Sequence, residues 1–85
     1  MLGSPQIYRD RNFSFRIYFN EGSEPPHVHV YRGDGSAKIW IDPISLCWNE
    51  GFNTNEMRWI FKKLKDRRAF FLREWYVTQS KTRQF

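Results

Sequence analysis

Cysteine is almost absent from this chain of 85 residues: Cys47 stands alone, so no disulfide can form within the chain. No run of about 20 consecutive apolar residues occurs, which argues against a membrane-spanning helix, and no signal-peptide pattern is visible. A lone thiol is typical of proteins in a reducing compartment. We therefore expect a cytoplasmic protein that makes no contact with a membrane.

Internal repeats and low-complexity segments are missing too, and the length suits one domain. Glycine, proline and polar residues separate the N-terminal residues from the first patterned segment. We expect a flexible arm over residues 1–12, a single domain over residues 13–78, and a flexible tail over residues 79–85.

Acidic residues are scarce in the C-terminal third of the chain. Residues 1–53 hold five Lys or Arg and six Asp or Glu, a net charge of −1, whereas residues 54–85 hold nine and three, a net charge of +6. A run of charge is usually a solvated face, but this asymmetry favours an anionic partner, either nucleic acid or an acidic protein surface. The basic residues assigned to that contact are Arg58, Lys62 and Lys65.

Aromatic residues, by contrast, are plentiful at 19% of the chain. Four Trp, four Tyr and eight Phe exceed what one small core needs. Some of these rings should therefore face outward or meet a partner.

Alternation of apolar and polar residues predicts an antiparallel sheet of three to four strands. Three strands are predicted at Phe13–Phe19, His27–Arg32 and Ala37–Ile41, with Ser45–Trp48 as a short edge strand. The second and third strands are joined by Gly33-Asp34-Gly35, a strong turn signal because Asp-Gly readily adopts positive φ.

The second predicted strand places two histidines side by side. Val28 and Val30 belong to the core face, which leaves His27, His29 and Tyr31 on the other surface. Residues two apart on a strand lie about 7 Å from each other. The two imidazoles should therefore share one site, opposite the core.

The remaining residues have a helical pattern that opens with a capping box, Asn53 followed by Glu56. A continuous helix to Val77 would be roughly 35 Å long, so it either bends near Asp66-Arg67-Arg68 or projects beyond the sheet. We expect an α+β fold with this one long C-terminal helix packed on one face of the sheet. The apolar positions are Met57, Ile60, Phe61, Leu64, Ala69, Phe71, Leu72 and Trp75.

The opposite sheet face should then be open, aromatic and basic, since side chains alternate along each strand. Its predicted members are Arg16, Tyr18, His27, His29, Tyr31, Lys38 and Trp40.

Several short segments resemble domain-of-unknown-function family 4160. The most specific is a Pro-Pro-His-x-His element, and the resemblance spans roughly residues 15–76. The segments are Ile17-Tyr18-Phe19, Pro25-Pro26-His27-Val28-His29-Val30, Ala37-Lys38-Ile39 and Glu50-Gly51, with Trp59 and Trp75 on the helix.

The resemblance implies a small bacterial protein encoded beside a small partner gene, in a toxin–antitoxin-like pair. We therefore expect an interaction module that binds a small protein partner, with RNA as a further candidate and self-association into a homo-oligomer also considered. Rings on the open face would stack on bases and basic groups would meet phosphates; Tyr, Trp and Arg are equally typical protein anchors. The expected binding residues on the sheet are Tyr31, Arg32, Lys38 and Trp40.

A metal-independent ribonuclease is the alternative function. His27 and His29 would act as base and acid, because imidazole titrates near neutral pH. Arg16 or Lys38 would stabilise the phosphorane and Tyr18 would orient it.

Two further interpretations of the histidines stay open. With Glu21 or Glu24 they would form a metal site, although we predict no metal and no cofactor for this chain. Alternatively, the histidines have a structural role, forming hydrogen bonds with the adjacent turn and stabilising the Pro-Pro geometry.

Overall fold

Five antiparallel strands follow one another in chain order across a single sheet, in a computed structural model that describes residues 6–82. Two helices pack on one face of that sheet. The α+β class is confirmed, but the sheet has one strand more than the upper limit predicted, and two helices replace one. The elements are β1 (Gln6–Asp10), β2 (Phe13–Arg16), β3 (His27–Arg32), β4 (Gly35–Ile41), β5 (Ile44–Glu50), α1 (Thr54–Asp66) and α2 (Arg68–Thr82).

The core lies between the sheet and the helices, and it contains the valines of β3. Val28 and Val30 are completely buried. Val30 pairs with Phe15 of β2, and Val28 pairs with Ile39 of β4, so these side chains share one face. Each fully buried side chain of this size contributes about 1.5–3 kcal/mol through the hydrophobic effect. The predicted parity of β3 is therefore correct.

Helix α1 begins at the predicted capping box. The Asn53 side chain accepts a hydrogen bond from the Glu56 backbone N–H at 2.8 Å, and the Glu56 carboxylate accepts one from the Asn53 N–H at 2.8 Å. Met57, Ile60 and Leu64 then follow at helical spacing and are buried against the sheet.

The predicted long helix is interrupted at Arg67, whose φ of −120° and ψ of 30° leave the helical region. Of the two alternatives, the bend is therefore the one that forms. Arg68, the first residue of α2, donates to the Ile41 carbonyl at 3.1 Å and pairs with Asp42. These contacts hold the start of α2 at the end of β4, which brings Phe71 and Trp75 into the core.

Strand β1 was not predicted, because residues 1–12 were interpreted as an arm with little structure. Residues 6–10 instead pair with β2, and Tyr8 places its ring 5.4 Å from Phe15 and 5.7 Å from Phe71. The strand is short, and its register shifts between Gln6 and Tyr8. Its apolar and polar residues therefore do not alternate cleanly, which is why the sequence pattern did not predict it. Residues 1–5 of the predicted arm lie outside the described residues.

Two other predicted boundaries also change. Strand β2 ends at Arg16 rather than at Phe19, although Ile17 is still buried. Helix α2 runs to Thr82, so residues 79–82 of the predicted tail are helical, while residues 83–85 lie outside the described part of the chain. Within residues 6–82, no helix is both long enough and apolar enough to cross a membrane.

The ion pair between Asp10 and Lys63 joins β1 to α1 at 3.1 Å. The hydrogen bond from Lys63 holds the pKa of Asp10 below its ordinary value of 3.8. The ionised carboxylate therefore stabilises the fold above pH 3.8, and this contribution is lost as the pH falls through the lowered pKa. We predict that Asp10→Asn lowers the melting temperature at pH 7, and that the difference from wild type shrinks in acid.

Thermal unfolding followed by circular dichroism at neutral and acidic pH measures this effect. Asp34→Asn is the control, because Asp34 is an exposed turn residue without an ion pair among residues 6–82. A difference for Asp10→Asn that is the same at both pH values would contradict the assignment.

Candidate functional site

The connection between β2 and β3 folds over the sheet face that lies opposite the helices. We call residues 17–26 the covering loop. Three contacts hold it down, one from each of Tyr18, Glu21 and Glu24. The Tyr18 hydroxyl lies 2.5 Å from that of Tyr31, the Glu21 carboxylate 2.7 Å from His27, and the Glu24 carboxylate 2.6 Å from Lys38. The predicted open face is thus largely closed, because its polar side chains find partners in this loop.

His27 is the most constrained residue of this face, and its side chain is 0% exposed. Its Nδ1 lies 2.9 Å from the Pro25 carbonyl oxygen and its Nε2 lies 2.7 Å from Glu21 Oε1. A carbonyl oxygen only accepts, so Nδ1 carries a proton and donates it. Nε2 faces the Glu21 carboxyl group, so both ring nitrogens have a partner in the loop. His27 therefore anchors the loop and the Pro-Pro turn.

Helix α2 holds the covering loop from the other side through Gln79. The Gln79 side-chain amide donates to the Tyr18 carbonyl at 2.8 Å and accepts from the Glu21 backbone N–H at 2.8 Å. Gln79 is buried, although the sequence interpretation assigned it to a flexible tail. Its spacing of four residues from the buried Trp75 is the signal that could have placed it on the inward side of a helix.

His29 lies beside His27 but has no comparable anchor. Its side chain is 12% exposed, and neither ring nitrogen has a hydrogen-bond partner within residues 6–82. Tyr18 meets the ring edge-on at 4.6 Å and Tyr31 stacks on it at 6.4 Å. Burial lowers the pKa of His29 below its ordinary value of 6.5, although the negative charge of Glu21 opposes this shift. The ring is therefore neutral at neutral pH, with a lone pair available.

Tyr31 shares a short hydrogen bond with Tyr18 and is unsuited to act as a base. Burial, followed by that hydrogen bond, raises the pKa of Tyr31 far above its ordinary value. The phenol therefore stays protonated at physiological pH. Its contribution to the site is to fix the ring against His29.

Lys38 and Trp40, the predicted binding residues of β4, lie on the same sheet face as His27 and His29. The Lys38 ammonium group lies 4.9 Å from the centre of the Trp40 ring and pairs with Glu24. The hydrogen bond from Lys38 lowers the pKa of Glu24. Arg16 is on this face too, and its Nε donates to the Ser14 hydroxyl at 3.1 Å.

Arg32 does not lie on that face, so the structure does not bring it together with Lys38. Its guanidinium group lies 4.6 Å from the centre of the Phe13 ring and 3.4 Å from the Glu56 carboxylate, on the helix side of the sheet. The reason is the alternation of side chains along β3, which places Arg32 on the same face as Val28 and Val30. The remaining binding candidates are exposed on α1, separate from the histidines: Arg58, Lys62 and Lys65.

One carboxylate oxygen links the two histidines. Glu21 Oε1 is 2.7 Å from His27 Nε2 and 3.7 Å from His29 Nε2. One donor atom from each of the three residues lies within 4.8 Å of the other two. Of the two carboxylates considered for such a cluster, the structure brings in Glu21, whereas Glu24 is engaged by Lys38.

The comparison with protein families agrees with the segments singled out above. The model of a family described as Domain of unknown function (DUF4160) matches residues 12–76. The chain belongs to this family. The matched span contains Glu21, His27 and His29, but it excludes Gln79 and all of β1. Searches of curated proteins and of solved structures find no significant match.

The two hydrogen bonds of Gln79 give a direct test of how the covering loop is held. We predict that Gln79→Ala destabilises the protein by about 1–3 kcal/mol, because two loop groups lose a buried partner. Amide hydrogen exchange of residues 18–24 should accelerate more than exchange in the sheet.

Ser80→Ala is the matched control, since Ser80 is the exposed neighbour of Gln79 on α2. Unchanged exchange of the loop amides in Gln79→Ala would show that the loop is held by β3 and β4 alone.

Proposed function

We propose that this chain is a small cytoplasmic interaction module of a toxin–antitoxin-like pair, and that it binds a small acidic protein partner along the free edge of β5. The family supports the assignment to a toxin–antitoxin-like pair, because the resemblance implies a protein that is encoded beside a small partner gene. The exposed, lone Cys47 suits a reducing compartment.

The exposure of β5 is the observation that carries this proposal. Among residues 6–82 the strand pairs with β4 alone, and residues 45–50 are all exposed. Leu46 is 45% exposed and Trp48 is 38% exposed. Leu46 is in register with Ile39 and Trp48 with Lys38, so the two side chains project from opposite faces of the same edge. A strand that enters beside β5 would contact both.

The two edges of the sheet are protected to different degrees. Proteins commonly place charged residues on edge strands to prevent pairing with other chains. Strand β1 has such residues in Arg9 and Asp10, whereas the segment from Ser45 to Asn49 has none. An unprotected apolar edge is a template for an added strand, the mode by which many domains recognise extended peptides.

The charge of the chain indicates the chemistry of the partner. The net charge is +5, and the excess of basic residues lies in the helical third. An acidic partner would be attracted at long range and would associate faster than a neutral one. Affinity would then come from backbone hydrogen bonds and from the burial of Leu46 and Trp48.

The contact surface proposed here differs from the aromatic and basic sheet face. That face is covered by residues 17–26, and its Lys38 is already paired with Glu24. The exposed cations of α1 keep RNA as the competing ligand, but Lys62 is partly neutralised by Asp66 at 3.3 Å. Apolar exposure at a free edge favours protein over RNA.

The ribonuclease alternative needs two imidazoles in contact with one phosphate. His27 is fully buried, and both of its ring nitrogens are engaged by Pro25 and Glu21. Of the two histidines, His29 is the one whose ring nitrogens have no hydrogen-bond partner within the described chain, and it would need a second acid–base group. We therefore favour binding over catalysis.

The test is co-expression with the product of the adjacent open reading frame, followed by co-purification and affinity measurement. We predict a stable complex for the wild type. Leu46→Lys and Trp48→Lys should each weaken it by about 2 kcal/mol, roughly thirtyfold, which is typical of a central anchor. Tyr76→Lys is the control, because Tyr76 is an exposed aromatic residue on α2 rather than on β5.

Three results would overturn this proposal. One is the absence of a complex with the wild-type chain. Another is equal weakening by the β5 variants and Tyr76→Lys. The third is salt-sensitive binding of a single-stranded RNA oligonucleotide that is lost in Arg58→Ala/Lys62→Ala/Lys65→Ala, without any protein complex, which would make RNA the ligand.

A further inference from the structure

We propose that Glu21, His27 and His29 form a binding site for one divalent transition-metal ion of the zinc type. This inference does not rest on the proposed partner contact on β5, because its ligands come from β3 and the covering loop, although the Trp48 ring borders His29 at 6.3 Å. It gives the Pro-Pro-His-x-His element a ligand, in addition to the part that His27 plays in anchoring the loop.

The donor set is the first argument. Two imidazole nitrogens and one carboxylate oxygen suit zinc and neighbouring first-row metals, whereas magnesium and calcium prefer oxygen ligands alone. Three protein ligands with a further position for water or substrate are typical of catalytic rather than structural zinc sites.

The distances are the second argument. Zinc binds nitrogen and oxygen at about 2.0–2.2 Å, so ligand atoms around a tetrahedral ion lie about 3.4 Å apart. Glu21 Oε1 is 2.7 Å from His27 Nε2 and 3.7 Å from His29 Nε2, and the whole set lies within 4.8 Å. Side-chain adjustments on the order of 1 Å therefore bring all three atoms to coordination distance.

The surroundings of the ligands are the third argument. Histidines that bind metals usually donate their other ring N–H to a carbonyl or carboxylate group, which orients the ring. His27 does so through Nδ1, which lies 2.9 Å from the Pro25 carbonyl, and its Nε2 points at Glu21. The second ligand ring, His29, is held between Tyr18 and Tyr31.

The fourth argument is the condition of His29. Both of its ring nitrogens are buried, and neither has a hydrogen-bond partner within residues 6–82. Buried polar atoms without partners are rare, because the loss of hydration is not compensated. A metal ion held with Glu21 would satisfy one nitrogen. A water molecule is the competing occupant, and the experiment distinguishes the two.

The experiment is a calorimetric titration of zinc into the tag-free full-length chain after treatment with a chelator. We expect one zinc ion per chain and a rise in melting temperature with zinc concentration. His29→Ala should weaken binding by at least about tenfold, since even outer-shell changes commonly cost 10–100-fold. This variant should fold, because His29 makes no hydrogen bond in the described chain.

A second variant keeps the test valid if His29→Ala is destabilised. Glu21→Gln preserves the size of the side chain and its hydrogen-bonding capacity, but it removes the ligand charge, so it should also weaken zinc binding by at least about tenfold. Glu50→Gln is the matched control, because Glu50 is an exposed carboxylate at the end of β5 and outside the cluster; this variant should bind zinc as the wild type does. Cys47→Ser should do so too, which excludes the exposed thiol as the ligand.

Several results would overturn the proposal. They are the absence of zinc binding by the wild type, retention of full affinity in His29→Ala and Glu21→Gln, and loss of binding in Cys47→Ser. Equally tight binding of magnesium would exclude a transition-metal site. A partner complex that forms normally while zinc binding fails would reject this inference and leave the proposed function intact.

Discussion

A fully buried imidazole with both nitrogens engaged is the constraint on which this side of the molecule depends. His27 cannot be removed from water without partners for both nitrogens, because an unpaired buried polar atom costs about 1–3 kcal/mol. The Pro25 carbonyl and the Glu21 carboxylate supply them, at 2.9 Å and 2.7 Å. Both partners belong to residues 17–26. The position of the covering loop therefore follows from the burial of one side chain on β3.

Closing the loop changes which surfaces remain for function. The polar side chains opposite the helices are paired beneath it, apart from His29, while Leu46 and Trp48 of β5 stay exposed. The single aromatic and basic face predicted from the sequence is therefore replaced by two features. A nearly closed site holds Glu21 and the two histidines, and a free apolar edge lies at the other side of β4.

Local pattern was enough to predict the parity of β3, the capping box at Asn53 and the α+β class, since each depends on neighbouring residues alone. It could not place the covering loop, because a segment rich in Gly, Pro and acidic residues has no periodicity, and the partners of its side chains are distant in sequence. The bend at Arg67 was one of two alternatives, and local pattern could not choose between them. The buried positions Leu64, Phe71 and Trp75 keep helical spacing across it, and the contacts that fix the break come from β4.

The most direct test of the buried anchor is a long-range proton–nitrogen NMR spectrum of the two imidazoles, assigned with His29→Ala. The chain has only two histidines, so each ring is resolved. We predict a proton on His27 Nδ1 that exchanges slowly with water, and no protected ring proton on His29. A His27 ring whose protons exchange as fast as those of His29 would contradict this prediction, because the anchor that closes the loop would then be absent.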